Sequence, residues 1–228
     1  MADAERPHYH GHRDRLRQRL LDGGADALPD YELLELVLFL AIPRKDTKPI
    51  AKRLLDRFKT FDAVITADPR ALRQVEGVGE AVVAALKTVQ AAALRLSRTQ
   101  VIQRDVLSSW DALMDYCTAT MAREKTEQLR LLFLDRKNVL IDEEVHAVGT
   151  VDHTPLYPRE VVRRALEIGA SALILVHNHP SGDPTPSSAD VEMTRKVKEA
   201  AAALGITLHD HVIIGRNRYT SFRSEGLL

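Results

Sequence analysis

The chain has 228 residues, enough for one large domain or two small ones with a real core. Hydrophobic residues make up 45% and charged residues 28%, and 32 basic side chains balance 32 acidic ones, so bulk charge points to neither nucleic acid nor membrane and any basic surface must be local. The single cysteine, Cys117, excludes an internal disulfide and any multi-cysteine zinc site; with no apolar run near the roughly 18 residues of a membrane span and no signal peptide, a cytoplasmic protein is expected.

Residues up to 97 read as helices. His8, His10 and His12, spaced H-x-H-x-H, precede them as a solvated tail. Asp30-Tyr31-Glu32 opens YELLELVLFLAI, which is too apolar for a surface helix and predicts a buried one. Lys48 to Phe58 follows with Ile50, Leu54, Leu55 and Phe58 on one stripe. Asp68-Pro69 supplies an N-cap and a first-turn proline. In VEGVGEAVVAALKTVQAAALRL, glycines mark a turn between two helices. Residues 98–107 look like a connector.

Beyond it the pattern changes. Ser108-x-x-Asp111 predicts a capping box ahead of a helix reaching about Arg123, with Cys117 in its core-facing side. QLRLLFL and VLIDEEVHAV flank Asp135-Arg136-Lys137-Asn138, a hairpin signal. Pro158 starts a helix that Gly169 stops, and ALILVH is a wholly apolar run, the mark of a central strand covered on both faces. SSADVEMTRKVKEAAAAL is a helix ended by Gly205, followed by strands ITLHDHVIIG and RYTSF. Helices interleaved with strands imply a layered sheet with helices on both faces.

His177 and His179 stand one residue apart at the end of ALILVH. Period-two strand geometry sends both imidazoles to the same side, at the strand's C-terminal end, where open α/β sheets place ligands. The loop PSGDPTP can return the chain so that the next helix starts beside the rings. Ser187-x-x-Asp190 then has two readings. It is a capping box, which explains the serine and leaves the histidines unexplained; or Asp190 completes a two-His, one-Asp set of the kind catalytic zinc sites use. His209 and His211 form another pair, on one face of their strand, with Asp210 on the other face beside Ile206, Leu208, Val212 and Ile214; two strand histidines alone read as packing or hydrogen-bonding residues.

His177-x-His179, seven residues, Ser187, two residues, Asp190 matches the zinc signature of JAMM (MPN+) metalloproteins ligand by ligand. The wider stretch LVHNHPSGDPTPSSAD, with YPREVVRRAL before it and DHVIIG after it, resembles the RadC family, and the likeness extends over residues 30–97. The resemblance implies an α+β protein: an all-helical domain (residues 1–97) with a helix-hairpin-helix, a linker (98–107), and a three-layer α/β/α JAMM-like domain (108–228) with a mixed sheet, layered as in cytidine deaminases. A zinc deaminase itself is excluded, because its signature needs two further cysteines.

By the same resemblance the metal is Zn2+, held by His177, His179 and Asp190, and the reaction is hydrolysis of a peptide or isopeptide bond. The family pattern adds an upstream glutamate at the start of a strand as general base; Glu127 fits, with Glu124, Glu143, Glu144 and Glu160 as rivals. Zinc would acidify a water, Glu127 would accept its proton and pass it to the leaving amine, and Ser187 would help to stabilise the oxyanion. Asp210 is a candidate acceptor for the free N–H of a liganding histidine. The segment GVGEAVVAAL has the form of a helix-hairpin-helix, with Gly77 and Gly79 exposing amides and Lys87 as a phosphate contact. It equally reads as a tight helical connection, and Glu76 and Glu80 beside it would repel phosphate; any DNA binding should be weak and indifferent to sequence. Two rivals remain: a DNA repair or recombination factor with a structural metal domain, and a protein–protein scaffold, which the intact ligand set counts against.

Overall fold

The computed structural model describes residues 11–102, 104–106, 108–148 and 156–228. His8 and His10 therefore lie outside the described residues, as do two positions of the expected linker. The chain divides into two compact units, residues 1–93 and 94–228.

The first unit is helical. α1 (His12–Gly23), α2 (Asp30–Ala41), α3 (Lys48–Phe58), α4 (Phe61–Thr66) and α5 (Pro69–Arg73) lead into α6 (Glu80–Val101), whose later residues belong to the second unit. Apolar stripes from α2, α3, α4 and the start of α6 close on one core that includes Leu34, Leu38, Leu54, Val64, Leu72 and Leu86. Asp68 caps α5 as expected, accepting from the Arg70 amide. His12 is not a tail residue: it opens α1 and its Nε2 lies 3.2 Å from Glu35 Oε2, a carboxylate buried in α2 beside the Thr47 hydroxyl. The connector also differs from expectation. Residues 98–101 continue α6, and Val101 and Val106 are buried in the second core, because the apolar side chains there find a sheet to pack on.

The second unit runs α7 (Trp110–Met121), β1 (Gln128–Leu134), β2 (Leu140–Val148), α8 (Pro158–Ile168), β3 (Ala172–Asn178), α9 (Ser188–Ala202), β4 (Thr207–Ile214) and β5 (Tyr219–Ser221). The five strands form one mixed sheet in the order β2-β1-β3-β4-β5, with β3 and β4 parallel and the other pairs antiparallel. Strand alternation sorts the side chains into two cores. Leu132, Leu134, Ile174, Val176, Val212 and Ile214 meet α7 on one face. Leu129, Leu131, Phe133, Leu173, Leu175 and Leu208 meet α8 and α9 on the other. β3 is central and buried along its whole length, which is why ALILVH carries no polar alternation. This is the three-layer arrangement expected.

Two local readings need correction. The Ser108–Asp111 capping box does not form: the hydroxyls of Ser108 and Ser109 both donate to the Asp105 carbonyl, and α7 starts at Trp110 without a side-chain cap. On β4, the β3 partners shift from Leu208 to Asp210, so His209 is an extra residue in the ladder. That bulge puts Leu208 on the same face as His211 and moves Asp210 to the α7 face with Val212 and Ile214, so simple alternation through ITLHDHVII fails at His209.

Candidate metal centre

The end of β3 and the start of α9 build the site. β3 delivers His177, paired with Leu129 of β1 and Ile213 of β4 and only 1% exposed. One turn of loop later, the His179 amide donates to the Ile214 carbonyl, which ties the second histidine to the end of β4. The chain then reverses through Gly182, Asp183 and Pro184 against the β4–β5 hairpin. Gly215 permits this contact: a Cβ there would lie 2.6 Å from the Gly182 oxygen and 2.7 Å from Pro184 Cδ. Arg218 donates to Asp183 Oδ1 at 3.0 Å, and the Asp183 carbonyl accepts from His179 Nδ1 at 2.8 Å. A carbonyl can only accept, so Nδ1 of His179 carries a proton, and Nε2 is the nitrogen turned toward His177 and Asp190.

α9 begins with a complete capping box. The Ser187 hydroxyl accepts from the Asp190 amide, while Asp190 Oδ2 accepts from both the Ser187 amide, at 2.7 Å, and its hydroxyl, at 2.6 Å. The two sequence readings of Ser187-x-x-Asp190 are thus compatible. The box engages Oδ2, which also lies nearest His179, and leaves Oδ1 toward His177. Ser187 has one hydroxyl proton, and here Asp190 holds it, so a role toward an oxyanion requires that proton to be redirected.

His177, His179 and Asp190 come together as a group able to hold a metal ion. The two Nε2 atoms are 3.0 Å apart; Asp190 Oδ1 is 3.4 Å from Nε2 of His177, and Oδ2 is 3.6 Å from Nε2 of His179. Ligands about 2.0–2.2 Å from a tetrahedral zinc stand roughly 3.3–3.6 Å from each other; the two histidine–carboxylate distances fall in that range, one to each oxygen, and the histidine–histidine distance is shorter, so an ion would have to spread the rings slightly. The electrostatics favour metal binding at His177 and Asp190 and oppose it at His179. Burial pushes the His177 imidazole down to about 4, against the pull of Asp190. His179 is raised, foremost by its bond to Asp190, with the charge of Glu127 adding to the effect. Burial alone would raise the Asp190 carboxyl, but His179, His177 and Ser187 outweigh it and hold the group well below the usual carboxylate range. A neutral imidazole and an ionised carboxylate are the forms that bind metals.

Glu127 stands directly before β1, half-buried, and its charge reaches His179. Asn178, the residue between the two histidines, brackets it: Oδ1 accepts from the Gln128 amide at 2.9 Å and Nδ2 donates to the Thr126 carbonyl at 3.2 Å. Glu124 is exposed, and the other three rival glutamates are engaged elsewhere. Glu143 accepts from Tyr116 and Arg98, Glu144 is clamped by Arg164, and Glu160 pairs with Arg163.

Asp210 is not at the site. Its carboxylate accepts from the His211 and Arg223 amides and from the Ser221 hydroxyl, bracing β4 against the C-terminal turn. The side chain facing His177 Nδ1 is His211, whose Nε2 lies 2.7 Å away, the hydrogen-bonding role that was one of the two expected of a strand histidine. A His three residues before the apolar end of β4, beside a parallel neighbour carrying a ligand, is the signal the sequence offers.

In the helical unit, Gly77 (φ 89°) makes the turn into α6, whereas Gly79 has open space around it. Lys87 donates to the Ile65 carbonyl and Gln90, so its ammonium is held within the helical packing rather than extended toward a ligand. Glu80 pairs with Arg73. No helix among the described residues is long and apolar enough to cross a membrane.

Comparison with known proteins agrees with this architecture. Residues 107–227 match the RadC-like JAB domain, and residues 10–84 match the UPF0758 N-terminal family. A UPF0758 protein of Rhodobacter capsulatus is 65% identical over 213 residues, covering 93% of this chain and all of the relative. A UPF0758 protein of Ruegeria pomeroyi is 62% identical over 217 residues, 95% of this chain and 97% of that one. With a histidine pair and an aspartate converging at the end of a central strand and both halves of the chain matched, the protein belongs to the RadC-like JAB-domain (UPF0758) family.

Proposed function

We propose that the second unit is a zinc-dependent hydrolase of the JAMM type acting on a peptide or isopeptide bond. The observation that carries this reading is the grouping of His177 Nε2, His179 Nε2 and the Asp190 carboxylate within the reach of one ion, with the charge of Glu127 felt at the His179 ring. A bound zinc ion supplies an acidified water and an electrophile for a carbonyl oxygen. The remaining work falls to the chain. His177 and His179 hold their rings fixed through backbone and side-chain partners, so little reorganisation accompanies the reaction. Glu127, set by the Asn178 bracket, takes the proton of the attacking water and returns it to the leaving amine nitrogen. Ser187 keeps Asp190 oriented through the capping box, and its hydroxyl can donate to an oxyanion only by rotating away from Asp190. The test is a hydrolysis screen of the full-length zinc-loaded protein on linear peptides, lysine-branched peptides and nucleic acids. Amide cleavage abolished by chelation supports the proposal. Cleavage of nucleic acid alone, or of nothing by fully loaded protein, counts against it.

A further inference from the structure

His211 is completely buried on β4, and no step above uses it. Its ring is bonded at both nitrogens: Nε2 lies 2.7 Å from His177 Nδ1, and Nδ1 lies 2.5 Å from the Thr194 hydroxyl. Thr194, one turn along α9 from Asp190, also bonds the Asp190 carbonyl at 2.6 Å. Phe222 covers the ring, with centroids 4.5 Å apart.

The protons along this chain can be assigned from one end. Two oxygens 2.6 Å apart need a proton between them, and a carbonyl has none to give, so Thr194 donates to Asp190. Its only proton is then committed, and Thr194 must accept from His211 Nδ1–H. An imidazole with no exposure and no carboxylate in contact stays neutral, so His211 has a lone pair on Nε2. That lone pair accepts from His177 Nδ1–H, leaving the His177 lone pair on Nε2, the nitrogen 3.0 Å from His179 Nε2 and 3.4 Å from Asp190 Oδ1.

We infer that His211 is a positioning residue which, through Thr194, reads the backbone of one metal ligand and fixes the tautomer and ring orientation of another. Asp190 and His177 are thereby set together: the carbonyl of the residue giving the carboxylate determines which nitrogen of His177 faces the ion. The arrangement differs from the usual carboxylate or single carbonyl behind a liganding histidine, because the link passes through two neutral side chains. The inference rests on the metal reading of the His177–His179–Asp190 group.

Two-bond proton–nitrogen NMR spectra of the imidazoles in the full-length protein, metal-free and zinc-loaded, read the tautomer without any substrate. His177 should be protonated at Nδ1 in both states; protonation at Nε2 in the metal-free protein with a bare Nδ1 overturns the relay, whatever the zinc content. Zinc affinity, measured by competition with a chromogenic chelator, should fall about 10–100-fold in His211→Leu. His211→Gln, which returns an amide oxygen as acceptor toward His177, should recover most of that loss. A merely space-filling residue would predict Leu tolerated at least as well as Gln, and that result contradicts the inference. If His211→Leu does not fold, Thr194→Val is the substitute: nearly the same shape, it removes the acceptor for His211 Nδ1–H, and the His177 resonances should become a mixture of tautomers. An unchanged single tautomer in Thr194→Val overturns the relay. Wild-type protein that binds no zinc yet shows the Nδ1–H tautomer would refute the hydrolase reading while leaving the relay intact.

Discussion

Asp190 performs two functions with its two oxygens. Oδ2 completes the capping box of α9, a contact of the kind worth about 1 kcal/mol, while Oδ1 turns toward His177. The residue therefore cannot be changed without affecting both the helix start and the ligand set, whereas Glu127 can be tested more cleanly. Glu127→Gln preserves size and hydrogen-bonding capacity but removes the basic carboxylate. Zinc should remain bound, and turnover on any amide substrate found by the screen should fall by about 10²–10⁴. Wild-type turnover in that variant would exclude Glu127 as the base. The ligands were legible in the sequence because strand periodicity and a short loop determine where His177, His179 and Asp190 point. The residues supporting them were not. Asn178 meets Gln128 and Thr126, and His211 meets His177, across strand pairings between segments 34 to 52 residues apart, and neighbouring side chains in one sequence do not report those registers.

At the level of elements, two serine boxes of the same spacing had opposite outcomes. Ser187 caps α9 because the preceding proline-rich loop arrives extended, with the Ser187 backbone at φ −82° and ψ 163°. Ser108 and Ser109 instead turn back to the Asp105 carbonyl, since that segment is pinned by the Asp105–Val139 bridge. The loop holding His179 depends on a glycine that the sequence reading passed over. In Gly215→Ala the new methyl would meet the Gly182 oxygen and Pro184, neither of which can yield without moving the loop. Zinc affinity should drop by about tenfold or more while the sheet stays folded, as read by chelator competition beside circular dichroism. Unchanged affinity would mean that the loop does not position His179. The two glycines of the helical turn should separate in the same way. Gly77 has φ 89° and an added Cβ would lie 3.0 Å from Ile50, so Gly77→Ala should cost about 1–2 kcal/mol or more; Gly79→Ala has open space and should unfold close to wild type in denaturant. Equal losses for the two would contradict the turn described here.

Across the whole molecule, composition and periodicity sufficed for a helical first part and a layered second part, because long apolar runs such as ALILVH and YELLELVLFLAI have few other ways to be buried. The course of residues 98–106 was not legible, since a charged, weakly periodic stretch gave no sign that Val101 and Val106 would enter a core. Cys117 gives a probe of that core. It lies on the sheet-facing side of α7, fully buried, and burial pushes its thiol up to about 12. Buried and held as the thiol, it should offer a thiol-specific reagent no reactive group in the native protein and one per chain after denaturation. Rapid labelling of the native protein would mean that α7 does not pack on the sheet as described.

The most direct test of the account is the metal content of the protein itself. Full-length protein purified without chelator and measured by elemental mass spectrometry should hold about one zinc per chain, and His179→Ala should lose it while Cys117 stays protected from labelling. Wild-type protein that is metal-free as purified, and takes up no zinc when it is supplied, would contradict the assignment of His177, His179 and Asp190 as a metal centre.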